Sequence, residues 1–214
     1  MRVFLTSLAL ALALLTACGG ALGSEAGGGE VEEVDEGDAM APPTPLTLPS
    51  LDVDRDSLSE GMLFGWELAE ESFDFDRPPA PPSGATDDYQ AWADEELATW
   101  IERKTTTVSA ARGELDQAAE ESLRQRIIAG ALVGLMYESI GRALRSLPVP
   151  ATIQTDREIA EVFRSILVSQ ARPYFGFATR AYDACRQNAL GGPAGMRHWS
   201  DYCAARKDYL PVDE

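Results

Sequence analysis

The amino-acid sequence predicts an all-α protein: an antiparallel bundle of about four main helices that follows a disordered acidic tether. Three observations carry this. From residue 87 onward apolar side chains recur at steps of three and four, the spacing of one buried helical face. Breakers interrupt that pattern at Pro148-Val149-Pro150 and Gly191-Gly192-Pro193. The acids gather at the other end. Of 35 acidic and 18 basic residues, 21 acids and 2 bases lie between Gly19 and Trp100, whereas residues 101–214 carry 14 and 15. A change that abrupt separates a tail from a packed domain. The formal net charge of −17 argues against nucleic acid as the main partner, because phosphates are met by clustered Lys and Arg.

Residues 1–17 read as an export signal. Met1-Arg2 supplies a positive start, and Val3 to Leu15 is apolar apart from Thr6 and Ser7. As a helix this segment spans about 20 Å, short of the ~30 Å hydrocarbon core, so it is a signal rather than a membrane anchor. No later stretch approaches 18 consecutive apolar residues, so no other membrane span is expected. Leu15-Thr16-Ala17-Cys18, followed by Gly19, resembles the lipobox of bacterial lipoproteins. The resemblance implies cleavage between Ala17 and Cys18, a diacylglycerol thioether on Cys18, and acylation (palmitate or similar) of the new amine. Several acyl chains give stable anchoring where one does not. It also implies a lipid-anchored protein of the bacterial cell envelope. With Gly19 where Asp often marks inner-membrane retention, the outer membrane facing the periplasm is the expected site.

Residues 18–56 form the tether. The run Glu30-Val31-Glu32-Glu33-Val34-Asp35-Glu36 has too little apolar surface to offset ordering. Asp52-Val53-Asp54-Arg55-Asp56 alternates acids like a calcium loop, but Ser57 and Leu63 stand where an EF-hand needs Gly and a bidentate Glu. Residues 57–86 comprise a short docking helix and a Pro-rich connector. The helix runs from Ser57 to Phe73, capped by Asp56 or Ser57, and Leu63, Phe64, Trp66 and Leu68 are too apolar for a free tail. Arg77-Pro78-Pro79-Ala80-Pro81-Pro82 is extended.

Residues 87–214 form the bundle. The first helix, capped by Asp87 or Asp88, carries Tyr89, Trp92, Leu97, Trp100, Ile101, Val108, Ala111, Leu115 and Ala118, with a bend expected at the β-branched Thr105-Thr106-Thr107-Val108. The second runs from about Glu121 to Leu147, and its Gly130, Gly134 and Gly141 point to close helix approach. The third starts near Thr155 or Asp156, with Pro173 expected to kink or split it. A fourth follows the Gly191-Gly192-Pro193 turn, with Met196, Trp199, Tyr202 and Cys203 inward. Cys185 and Cys203 flank that turn at comparable heights. With Cys18 lipidated and the compartment oxidising, a disulfide between them is expected, two buried thiols being the alternative.

Trp100 with Lys104, Ile127-Ile128-Ala129-Gly130 to Glu138, Pro148-Val149-Pro150, Glu158-Ile159-Ala160, Ala171-Arg172-Pro173-Tyr174 and Ala181-Tyr182-Asp183-Ala184-Cys185 are similar in pattern to helical modules of tetratricopeptide-type envelope proteins of myxobacteria. The similarity spans about ninety residues, without a 34-residue repeat. It implies helix-pair scaffolding for protein contacts.

Catalytic chemistry finds little support in the residue pattern. His198 is the sole histidine, with Asp201 able to orient it but Ser200 on another face. Glu120, Glu121, Glu138, Glu158 and Glu161 could enter a bundle, yet no Glu-x-x-His pair of a di-iron site exists. No metal site, cofactor or catalytic residue is assigned. The four Trp residues read as core. Arg142, Arg145, Arg157, Arg164, Arg172 and Arg180 form a loose basic stripe, ordinarily a solvated face, the alternative being a receiver for the chain's own acidic tether. The expected function is a non-catalytic, membrane-anchored scaffold or adaptor for a protein partner in the envelope. The alternative is a cell-wall-associated, peptidoglycan-active enzyme using carboxylates.

Overall fold

The computed structural model describes residues 55–74, 77–82 and 86–211, all within the unit Leu48–Glu214. The signal segment, the Ala17–Cys18 cleavage site, the lipidation site and almost all of the acidic tether lie outside the described residues. Every regular element among the described residues is helical.

After a 3-10 turn, Arg55–Ser57, helix α1 spans Glu60–Asp74. Its cap is Ser59, whose Oγ accepts the Met62 N–H at 3.3 Å, rather than Asp56 or Ser57. Helix α2, Thr86–Trp92, passes through a π-helical turn, Ala93–Leu97, into α3, Ala98–Glu121. At Thr105–Val108, where a bend is expected, the helix is continuous. Thr105, Thr107 and Ser109 each turn the hydroxyl back to donate to the carbonyl one turn earlier, at 2.7–3.3 Å, and the helix runs on.

Helix α4 spans Leu123–Arg145, capped by Ser122, whose Oγ accepts from Gln125 N at 3.2 Å. Helix α5 is capped by Asp156 and runs unbroken from Arg157 to Leu190. Of the kink or split expected at Pro173, the split does not occur. Proline removes one N–H and costs a helix interior roughly 3 kcal/mol. The buried side chains continue in phase across it, however, with Phe163, Leu167 and Ala171 before and Phe175, Ala178 and Tyr182 after. Their common packing surface outweighs the one lost bond. A 3-10 turn, Ala194–Met196, leads into α6, Arg197–Asp208.

Helix α4 is the centre. It packs most extensively on α5 and also on α3, while α1 lies on α3 and α6 on α5. Helix α4 is long and apolar enough to cross a membrane, but 83% of its most apolar window is buried inside the protein, as in a core helix. The glycines set its distance from α5. A Cβ on Gly134 would fall within the Tyr182 ring, one on Gly141 would sit 2.7 Å from Phe175, and one on Gly130 would be 3.2 Å from the Cys185 Cβ. The apolar side of α1 does pack on the bundle: Met62, Trp66 and Ala69 are buried, and Gly65 lies against Leu115. Phe64 remains exposed. Gln125 ties three chain segments at this end. Its Oε1 accepts the Ser59 N–H at 2.8 Å, and its Nε2 donates to the Ala118 carbonyl at 3.2 Å.

Candidate functional site

Two polar constructions stand out, one inside the bundle and one on its surface. The inner one centres on Glu138 of α4, whose side chain is fully enclosed. Arg142, one turn on, donates Nε to Oε1 at 2.6 Å, and its Nη2 donates to the Tyr209 carbonyl at 2.9 Å. Tyr182 of α5 donates its hydroxyl to Oε2 at 2.6 Å. Arg206 of α6 donates Nε to Oε2 at 3.1 Å and brings Nη2 to 2.7 Å from Oε1, close enough for an ion pair but off the line of a hydrogen bond. One carboxylate thus gathers α4, α5 and α6.

Burial, reinforced by the Glu138 charge, pushes the Tyr182 hydroxyl well above its ordinary range. Tyr202 is pushed up to about 12, again chiefly by burial. For Arg206 burial works against the charge, but Glu138 more than offsets it and the guanidinium stays firmly protonated. The disulfide between Cys185 and Cys203, with Cα atoms 6.3 Å apart, joins α5 to α6 beside this cluster, as does the Lys207–Asp183 ion pair at 2.8 Å. On the adjoining face of α4, Ser139 accepts from Lys104 Nζ at 2.7 Å, and that buried ammonium also lies 5.5 Å from the Trp100 ring centre. These groups are committed to one another, so their chemistry is cohesion.

The outer construction is a groove of about 340 Å³ with α4 as its floor and α3 and α5 as its walls. The floor is low because Ala129 and Gly130 carry almost no side chain. Across it runs a chain of cations and rings. Arg112 of α3 is paired with Asp116 at 3.2 Å and donates Nη1 to the Tyr137 hydroxyl at 3.1 Å. Tyr137 meets Phe177 of α5 with ring centres 5.0 Å apart, and Arg180 lies 4.8 Å over Phe177. Arg126 closes one end, with Nε donating to the Ala119 carbonyl at 3.1 Å. Three guanidiniums therefore face one carboxylate. A second hollow of about 490 Å³, near Pro79 and Trp100, sets Arg77 and Arg103 against Glu95 and Glu96 and has no such bias.

The residues singled out from sequence are dispersed. His198 is exposed on α6, its ring 5.9 Å from that of Trp199, while Ser200 is buried. Of the five glutamates considered, only Glu138 is buried, and it is held by arginines. All four Trp residues are buried. The basic stripe is not one surface. Arg142 is spent on Glu138, Arg157 pairs with Glu161 at 3.0 Å, and of the six only Arg180 lines the groove. Among the described residues no group of three or more His, Cys, Asp or Glu side chains is placed to hold a metal ion.

Sequence reasoning named Lys104 beside Trp100 without foreseeing its burial against Ser139, and it missed Arg206 and the Arg112–Tyr137–Phe177–Arg180 chain. Lys104 had a visible signal, since it lies in phase between Trp100 and Val108. The others depend on which helices become neighbours. Compared with known proteins, the chain matches no protein-family model, no curated protein and no solved structure.

Proposed function

We propose that this chain is a lipid-anchored lipoprotein of the bacterial envelope, carried at Cys18, whose helical domain is an adaptor for another protein. The anchor rests on the apolar segment Val3–Leu15 and the Leu15-Thr16-Ala17-Cys18 motif. The observation that carries the adaptor role is the groove. It is open, it is built from three helices, and its arginines and aromatic pair lie at the surface, whereas the buried polar groups are consumed in holding the bundle together. Helix hairpins with a shared groove are the scaffold that a tetratricopeptide-type class would provide, and that class is part of the proposal.

Both halves are testable in cells. Metabolic labelling with an alkyne analogue of palmitate should mark the wild-type chain and place it in the membrane fraction, while Cys18→Ser should be unlabelled and released. Equal labelling of the two would remove the anchor. A photo-crosslinking amino acid at Ala184, in the groove, should give a discrete adduct with another protein. The same residue at Glu161, on the outer face of α5, should not. Identical adducts from both positions, or none from Ala184, would remove the adaptor role.

A further inference from the structure

The groove opens onto a longer surface. Helix α5 carries its buried side chains at Ala160, Phe163, Leu167, Ala171, Phe175, Ala178 and Tyr182, which face α4. A second row, rotated roughly 120° at the 100° per residue of an α-helix, holds Ile159, Val162, Ile166, Gln170, Pro173 and Phe177, then Ala181, Ala184 and Asn188 in the groove wall. Val162 is 44% exposed, Phe177 38%, and the other apolar members upstream are half-buried. From Ile159 to Asn188 this row spans about 43 Å at 1.5 Å per residue. No carboxylate falls on it, and its one charge is Arg180.

We propose that this face receives an amphipathic helix with acidic flanks from a partner protein, lying along α5 with its apolar stripe on the Ile159–Phe177 row and its end in the groove. The proposal rests on the adaptor reading and names the chemistry of its partner. Three features select that occupant. The length matches a helix of several turns and far exceeds a small anion or a few sugar rings. Apart from the neutral Gln170 the surface is apolar at 3.6-residue spacing, the complement of a helix stripe read at i, i+3 and i+4. The charge at its head is positive: Arg112, Arg126 and Arg180 stand against Asp116 alone, and Asp116 is already paired with Arg112. Guanidiniums beside an aromatic pair suit carboxylates flanking apolar side chains, because the planar fork meets a carboxylate with two parallel hydrogen bonds.

The test uses the purified full chain and a fluorescent synthetic helix of about 18 residues, with Leu at helix-face spacing and Glu on both flanks. Binding is followed by anisotropy. The wild type should bind this helix, and binding should weaken as salt rises. Arg126→Glu with Arg180→Glu, both exposed positions, should lower affinity at least tenfold with unchanged circular dichroism. A probe with Lys in place of Glu should recover binding to that variant. Val162→Asp should also lower affinity, since it lies on the row but away from the arginines.

The proposal is overturned if the Glu probe and its Gln counterpart bind equally, if the reversed-charge pair shows no exchange of preference, or if a chitin oligosaccharide binds and the peptide does not. It is also overturned if peptide binding disappears as the chain self-associates through this face. A crosslink from Ala184 in cells together with no peptide binding would retain the adaptor and discard the acidic helix. Loss of both would discard the adaptor as well.

Discussion

Helices α1 and α6 both lie on the outside of the bundle, but they are attached by different physics. Helix α6 is joined to its neighbours by a disulfide, by the Lys207–Asp183 pair and by the Arg206–Glu138 contact. Helix α1 is seated by Met62, Trp66 and Ala69, with directional help from the Ser59–Gln125 hydrogen bond. Its other polar link folds back on itself, as Trp66 Nε1 and Arg55 both donate to Glu70, at 2.8 and 2.7 Å. The contrast teaches that the C-terminal end resists separation through bonds with fixed geometry. Apart from that one hydrogen bond, the N-terminal end resists through apolar area, which declines smoothly as a helix lifts away.

The largest effect is expected where the fixed geometry is broken. Glu138→Ala leaves Arg206 enclosed without its counter-charge, and loss of one partner of a buried pair costs about 3–5 kcal/mol. Urea unfolding should show that loss. A change under about 1 kcal/mol would mean that the cluster is incidental and that the two ends are alike. Next comes Trp66→Ala, expected to cost about 3 kcal/mol through the lost transfer energy and the cavity left under α1. Hydrogen exchange should then show the amides of α1 opening before those of α4 and α5. Simultaneous opening would erase the distinction between the ends.

Gly134→Ala should cost about 1–2 kcal/mol. Overpacking against Tyr182 costs more than the ~1 kcal/mol that Ala gains over Gly in a helix, because Glu138 pins the Tyr182 hydroxyl and the ring cannot step aside. A thermal melt unchanged from wild type would show that α5 has slack the structure does not display.

The smallest effect at neutral pH is ionisation of the tyrosines. Tyr182 and Tyr202 are raised in the folded state, so the folded chain holds those protons more tightly than the unfolded chain does. Their contribution is complete below about pH 10, the ordinary tyrosine value, and is lost as pH climbs through the folded values. Denaturant midpoints should therefore fall between about pH 10 and 12, and Tyr202→Phe should flatten part of that fall. A flat profile in the wild type would show that these hydroxyls are solvated.

The helical class and the inward faces were legible because burial writes a period into the sequence. Trp100, Val108, Ala111 and Leu115 state their face without reference to any partner. Local propensity weighed less than that period in keeping the helices continuous. Thr105–Thr107 and Pro173 are poor helix residues, yet the apolar phase crosses both without a slip, and that continuity was itself the better signal. The π turn was illegible, since Ala93–Leu97 contains nothing that distinguishes it from an ordinary helical turn. The groove was illegible for another reason. Arg112, Tyr137 and Phe177 lie on three helices, and nothing in their separate neighbourhoods records that they meet.

The turn at Ala93–Leu97 gives this helix something like a reading frame. A π turn takes up about one residue more than an α turn, so everything upstream is rotated by roughly 100° relative to a continuous α-helix. Trp92, five residues before Leu97, is buried on that account, and Ala93, Leu97 and Trp100 are buried as well. Deleting one of the exposed residues Asp94, Glu95 or Glu96 would restore α geometry while leaving Ala93 and Leu97 in the chain, and would swing Trp92 out toward water. The number of residues in that short stretch, more than their identity, decides which face of α2 meets the protein.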